Sequence, residues 1–310
     1  MKKELLEILI CPDCLPRETP LSPGSPRFQE GEMLSGSLEC RRCGRQYPVA
    51  QGIAQILPHG GMGSPSRYEE EAVLSSYLWS QYGDVSGEES PNEAYQTWAG
   101  LLRPMNGWGL DIGCAAGRMT FEMARHCKLA IGLDSSLPFV ALCRKLAGAG
   151  GIEYSLAMEG KITEERHIAL PPALRRSNVE FLVASALALP FPRSTFSLAG
   201  SLNILDKISH PLLHLQETSR ICTDIRADLV FSDPFSWSAK IASEEEWLGG
   251  MHSGRFSGWG EDNIRDLLQG EYGLIRPSWR MRKQGEAFWT IRNHRNHFEH
   301  IRSRFLVAER

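Results

Sequence analysis

Leu110-Asp111-Ile112-Gly113-Cys114-Ala115-Ala116-Gly117 carries an apolar strand into a turn of small residues, and Gly132-Leu133-Asp134 ends a second strand on an acid. This order suits the holding of a nucleoside. An acid at the end of the second strand is placed to accept hydrogen bonds from both hydroxyls of a ribose. Gly113 and Gly117 lack a Cβ, so the backbone can turn tightly and approach a ligand. The turn reads GxxxG and not the GxGxxG of a dinucleotide site, although both sites share the order of strand, turn, helix, strand and acid. Alone, the glycine pair would fit any tight strand-to-helix turn. Asp134 is what points to a nucleoside.

A second chemistry lies in the first 43 residues, in Cys11-Pro12-Asp13-Cys14 and Cys40-Arg41-Arg42-Cys43, 25 residues apart. Two CxxC knuckles offer four thiolates at a spacing that closes a tetrahedral zinc site. With all four positions filled by protein, the zinc is expected to be structural, and its binding energy is folding energy. Disulfides or a redox CxxC are the competing readings. A chain without a recognisable signal peptide disfavours the first, and the doubled motif disfavours the second. The other cysteines, Cys114, Cys127, Cys143 and Cys222, read as small buried residues.

These residues need elements to hold them. His59 to Ser66 is rich in Gly, Ser and Pro and is the expected boundary, giving a small domain at 1–58, a linker at 59–67 and a larger domain at 68–310. Helical stretches are expected from Tyr68 to Tyr82 and from Glu93 to Leu102, with Tyr77 and Trp98 as core or lid aromatics. Strands are expected at 107–112, 129–133, 178–183, 196–202 and 227–232, with helices at 117–126, 136–147 and 211–222. Alternation of this kind implies an α/β fold, a Rossmann-like parallel sheet with helices on both faces. The stretch from Gly273 to Arg310 reads as two longer strands around a turn near Asn293 to Asn296. Residues 148–178 are long for a helix-to-strand connection. They read either as a surface excursion or as a segment near the cofactor edge.

The motif from Leu110 to Asp134 is the one seen in class I methyltransferases that bind S-adenosylmethionine, which the chain resembles. The knuckles, with Leu9-Ile10 before them and Gly44-Arg45-Gln46-Tyr47-Pro48-Val49, Gly52-Ile53 and Leu57-Pro58 after, resemble Trm112-like zinc ribbons, partners or activators of methyltransferases. From Tyr68 onward the chain is similar to the 4-mercaptohistidine N1-methyltransferase family, the C-terminal domain of ovothiol-pathway enzymes. That resemblance rests on Ser76-Tyr77-Leu78, Gln81-Tyr82-Gly83, Thr163-Glu164-Glu165-Arg166, Asn203-Ile204-Leu205, Asp233-Pro234-Phe235-Ser236-Trp237 and Glu246-Trp247-Leu248-Gly249-Gly250. It implies cofactor contacts from Asp111, Gly113, Cys114, Ala115, Gly117, Asp134, Ser135, Ser185, Ala186 and Asn203. Two departures stand out. Related enzymes usually carry an acid where this chain has Ser185, and the zinc ribbon replaces the sulfur-inserting domain of fused ovothiol enzymes.

Methyl transfer needs an acceptor aligned with the sulfonium carbon in a pocket that excludes water. Asn203, Asp233, Trp237 and Trp247 follow the fourth and fifth strands and are the candidate acceptor contacts, with no catalytic dyad required. The plainer reading of the last three is a buried capping acid and two packing indoles. His294, His297 and His300 crowd the last turn, but positions three apart on a strand face opposite ways, which disfavours a shared metal. The arginine-rich tail from Arg276 reads as a solvated outer strand or an RNA contact.

A hydrophobic content of 42% supplies a core, and a net charge of -3 gives no global attraction for nucleic acid or an anionic membrane. No apolar run reaches the ~18 residues of a membrane span. Glu4 and Glu7 interrupt the apolar N-terminus, so no signal peptide is read there, and the expected location is the cytoplasm. The expectation is a methyltransferase acting on a small molecule, an imidazole or thiol-histidine type. The alternatives are an RNA or translation-protein methyltransferase and a non-catalytic cofactor-binding module. Nucleic acid as a partner is open but not favoured, and the oligomeric state is left open.

Overall fold

The structure, a computed structural model, describes residues 1–60, 70–87 and 92–310. Strands β1 (Leu21–Gln29), β2 (Glu32–Cys40), β3 (Gln46–Ala50) and β4 (Ile53–Ile56) form an antiparallel ribbon. Helices α1 (Glu71–Ser86) and α2 (Ala94–Ala99) follow. Then come β5 (Trp108–Ile112), α3 (Arg118–Met123), β6 (Leu129–Asp134) and α4 (Leu137–Ala149). A hairpin, β7 (Gly151–Glu159) and β8 (Ile162–Ala169), precedes β9 (Val179–Ala184) and β10 (Phe196–Leu202). The chain finishes with α5 (Pro211–Ile221), β11 (Asp228–Asp233), α6 (Gly260–Gln269), β12 (Arg280–His294) and β13 (His297–Glu309).

The expected strands and the helices between them all appear. The helix expected to run to residue 126 stops at Met123, where 3-residue turns replace it. The expected start of the first helix at Tyr68, and linker residues 61–67, lie outside the described residues. Residues 148–178, open between two readings, fold as the β7–β8 hairpin, a separate two-stranded sheet. Its inner face joins the same apolar cluster as α1 and α4, through Ile152, Tyr154, Leu156 and Ile168. Helix α6 was not anticipated.

The large sheet runs β1-β2-β3-β4-β9-β6-β5-β10-β11-β13-β12. From β5 the chain builds outward in one direction through β6 and β9 and in the other through β10 and β11. All these neighbours are parallel, with Leu110 opposite Ile131 on one side and Ala199 on the other. The crevice at such a reversal, beyond the carboxyl ends of the strands, is where open α/β sheets bind ligands.

The ribbon is not a separate bead. Gln55 and Ile56 of β4 pair in parallel with Val183 and Ala184 of β9, so the ribbon extends the main sheet. Leu5, Leu9 and Ile56 share one buried cluster with Leu110, Leu182 and Phe191. Polar groups cross the same junction. Arg144 on α4 pairs with buried Glu180 of β9, and its other nitrogen lies 3.0 Å from Glu32 of β2.

At the opposite edge β13 pairs with β11 only from Arg304 onward, whereas β12 and β13 continue together to His294 and His297. The two strands therefore form an arm that overhangs the carboxyl edge of the sheet. Helix α1 packs on it, with Ser80 Oγ donating to the Thr290 carbonyl at 2.6 Å. No described helix is long and apolar enough to cross a membrane.

Candidate functional site

Gly113 and Cys114 donate backbone hydrogen bonds to the Leu133 carbonyl at 2.7 and 2.9 Å, which ties the turn after β5 to the end of β6. The turn then brings Ala115 N to 3.0 Å from Asp134 Oδ2, and Ser136 N donates to Oδ1 at 2.9 Å. Each carboxylate oxygen thus accepts one backbone bond and keeps lone-pair capacity for a further donor. Burial raises the Asp134 pKa while these backbone bonds oppose the rise.

The glycines make the tight turn expected of them, and Gly113 lines the cavity above it. Gly113 has φ +74° and Gly117 φ +84°, so the turn needs their freedom in the left-handed region. A Cβ on Gly113 would sit 2.9 Å from Ile204 Cδ1, and one on Gly117 would sit 2.9 Å from Cys143 Sγ. What comes close is the protein's own packing. Ala115, at φ +46°, takes the same strained conformation without that freedom.

A cavity of about 380 Å³ opens over this turn. Of the ten expected cofactor residues, Gly113, Ala115, Asp134, Ser135, Ser185, Ala186 and Asn203 line it. Asp111, Cys114 and Gly117 do not. Asp111 lies behind the turn, accepting from Thr120 Oγ1 at 2.7 Å, and its burial pushes the carboxyl up to about 7. Ser185 Oγ accepts from Leu187 N at 3.2 Å, which shapes the loop after β9. That loop is propped from below by buried His214, whose Nδ1 lies 3.2 Å from the Ala186 carbonyl and Nε2 2.8 Å from Ser201 Oγ. Nδ1–H donating and Nε2 accepting satisfies both contacts with a neutral ring. Burial pushes its pKa down to about 4.

Asn203, at φ +56°, turns the chain away from β10 and is fixed by its N–H on Ser232 O at 2.7 Å. The candidate acceptor residues beyond it are not brought to the cavity. Asp233 is fully buried, and its oxygens accept from the backbone N–H groups of Leu205, Asp206 and Phe235 at 2.9, 3.3 and 2.8 Å. Burial, then the Asp206 charge, raises its pKa far above the ordinary carboxylate range. Trp237 and Trp247 stack on each other, 6.3 Å between centroids and 17° between planes, and Trp247 Nε1 donates to the Ala242 carbonyl. The plainer sequence reading, a capping acid and packing indoles, describes this geometry. The reason is topological: the loop after β11 folds back behind the segment 203–209, and that segment forms the wall instead.

The walls that sequence reasoning missed are Lys207, Ile208 and Ser209 from that segment, Gln81 and Tyr95 from α1 and α2, Phe139 from α4, and Trp289 from the arm. Tyr77, read as core or lid, also lines the cavity. No local motif marks Trp289. Its place follows from the length of the β12–β13 arm. At the tip of the arm, the His294 and His297 rings lie 5.5 Å apart while His300 stacks on Phe298.

The four ribbon cysteines do converge. All their sulfurs lie within 4.8 Å of one another, with Cys11–Cys43 and Cys14–Cys40 at 3.7 Å. A tetrahedron with bonds of about 2.3 Å has edges of about 3.8 Å, so the cage fits zinc. Tyr47 OH donates to Asp13 Oδ2 at 2.7 Å and lies 3.1 Å from Cys11 Sγ, a support for the ligand shell.

Residues 110–224 match the methyltransferase domain model, and residues 2–52 match the model for Trm112p-like protein. The chain is an S-adenosylmethionine-dependent methyltransferase with a Trm112-like zinc ribbon. No curated protein matches it at a significant level. Among solved structures it is similar to a SAM-dependent methyltransferase of Methanosarcina mazei, at 16% identity and TM-score 0.43 over 68% of this chain and 95% of that one. It is also similar to a chain in a complex of the Haloferax volcanii Trm112 methyltransferase activator, at 13% identity and TM-score 0.45 over 80% of this chain and 99% of that one. The [4+2]-cyclase SpnF gives 13% identity and TM-score 0.47 over 80% and 99%.

Proposed function

We propose that this methyltransferase binds its cofactor in the cavity over β5 and β6 and methylates a small molecule there, an imidazole or thiol-histidine type compound. The carrying observation is the cavity itself, about 380 Å³, overhung by α1 and the arm and holding one lysine as its single cation among the described lining residues. A nucleic-acid substrate would call for an open groove with several phosphate contacts. Aromatic rings (Tyr77, Tyr95, Phe139, Trp289) share the lining with polar groups (Gln81, Asp134, Ser185, Asn203, Lys207), a mixture that suits a small polar ligand.

In this reading Asp134 accepts from the ribose hydroxyls, Ser135 and the turn from Gly113 to Ala115 surround the nucleoside, and Ser185 and Ala186 meet the base. Bound there, S-adenosylmethionine supplies a methyl group on a positively charged sulfur. Asn203, Ile204 and Lys207 bound the acceptor side, while α1 and the arm exclude water. An acceptor nitrogen with a free lone pair needs alignment more than acid–base help, so this reading calls for no catalytic dyad. Asp111, Cys114, Gly117 and Asp233 hold the walls in shape without reaching the ligand.

The test is a transfer assay with methyl-labelled cofactor over imidazoles, histidine and thiol-histidines, run beside bulk RNA and a protein extract. Label in the small-molecule fraction supports the reading. Label in RNA or protein supports the alternative of a macromolecular substrate. Cofactor binding with no transfer to any fraction would leave the non-catalytic module.

A further inference from the structure

The cavity lining carries one carboxylate and one ammonium among the described residues. Asp134 accepts backbone bonds on both oxygens at the end of β6, and Lys207 lies 2.9 Å from Asp206. In the proposed pose Asp134 is turned to the ribose, and Lys207 is itself a cation beside Asp206, so neither is the partner of a bound sulfonium. The lining also carries a run of three rings: Phe139 at the start of α4, Tyr77 on α1 and Trp289 on the arm. Tyr77 stands edge-on to both neighbours, with centroids 5.3 Å from Phe139 and 5.7 Å from Trp289 and planes at 66° and 70°. Three different elements meet to make this wall, and Phe139 at 1% and Trp289 at 6% exposure are held in place by packing.

We propose that this three-ring wall reads the charge on the cofactor, holding the sulfonium of S-adenosylmethionine by cation–π attraction and letting the neutral S-adenosylhomocysteine go. The proposal rests on the cavity being the cofactor site. An aromatic face attracts a cation through its quadrupole, most strongly for an indole and in a desolvated place. In methyl transfer the acceptor lone pair forms the new bond to carbon, and the carbon–sulfur bond breaks with its electrons left on sulfur. The positive charge passes to the acceptor, which sheds a proton to solvent where it carries one. The attraction is therefore present before transfer and gone after it. A wall of rings distinguishes substrate from product, whereas a carboxylate would also hold the cofactor's amino group, which both forms keep.

The experiment is calorimetric titration of the zinc-replete full chain with S-adenosylmethionine and, separately, S-adenosylhomocysteine. Trp289→Leu should weaken the charged form about 5- to 30-fold and the neutral form less than about 2-fold. Trp289→Phe, which keeps a π face, should recover much of the difference. Equal weakening of both ligands, or no change in either, overturns the proposal. Should Trp289→Leu fail to melt cooperatively, Tyr77→Leu gives the same readout, and an unchanged ratio there also overturns it. Wild-type protein that binds neither ligand rejects the cavity as the cofactor site, a failure distinct from a wall that does not read charge.

Discussion

Asp233 and His214 are buried polar residues whose hydrogen bonds fix the segments around the cavity. Asp233 satisfies three backbone N–H groups of the segments after β10 and β11. Asp233→Ala should therefore strand those donors at about 1–3 kcal/mol for each one that finds no water. We expect a lower melting temperature and, in protein that remains folded, near-normal affinity for S-adenosylhomocysteine. A stable variant that binds cofactor normally but has lost turnover would make Asp233 an acceptor contact. His214 gives a pH signature. Its folded pKa, about 4, lies below the ordinary value of 6.5. The stability from its neutral ring is thus full above pH 6.5 and lost as pH falls toward 4, by about 3 kcal/mol. Asp111, held up at about 7, acts oppositely, losing stability as pH rises from 3.8 to 7. The wild type should conceal both trends, and His214→Asn should expose the second. Denaturation midpoints for the two proteins across this range are the check. Parallel curves would contradict it.

At the scale of elements, Trp247 belongs to a packed pair. Its indole stacks on Trp237, and its N–H is bound to Ala242 O, in the loop behind the 203–209 wall. Trp247→Ala should cost about 3 kcal/mol of stability, at the lower end for buried aromatics because the residue is only partly buried. Thermal melting with single-turnover kinetics separates this from a pocket wall, which would lose rate and keep stability. The elements that carry the cofactor motif were legible because their signals are local. Gly113, Gly117 and Asp134 fall within 22 residues, and β-branched or leucine-rich runs mark their strands. The four cysteines were legible by spacing alone. The opposite wall was not. Tyr77, Phe139 and Trp289 come from separate parts of the chain, and only the overhang of β12 and β13 brings the indole above the crevice. Asp233 and Trp247 fall outside the cavity lining for the same reason: the carboxyl edge of β11 is legible, but the path of the loop beyond it depends on packing.

For the whole molecule, the shared sheet and core imply that ribbon and methyltransferase domain unfold together. The metal's binding energy then supports the entire chain, since β4 covers the edge of β9 and Arg144 links α4 to Glu32 and Glu180. One zinc per chain is expected, and removing it with a strong chelator should lower the melting temperature of a single transition that includes the catalytic sheet. A low-temperature ribbon transition followed by an unchanged main one would show two independent units. The central claim is that the cavity over β5 and β6 holds the cofactor through Asp134. Titration of S-adenosylhomocysteine into wild type and Asp134→Ala tests it most directly. Hydrogen bonds to a charged acceptor contribute about 1.5–3 kcal/mol each. The account predicts one site per wild-type chain and affinity at least about tenfold weaker in a variant that melts cooperatively. Equal affinity in the two proteins would contradict it.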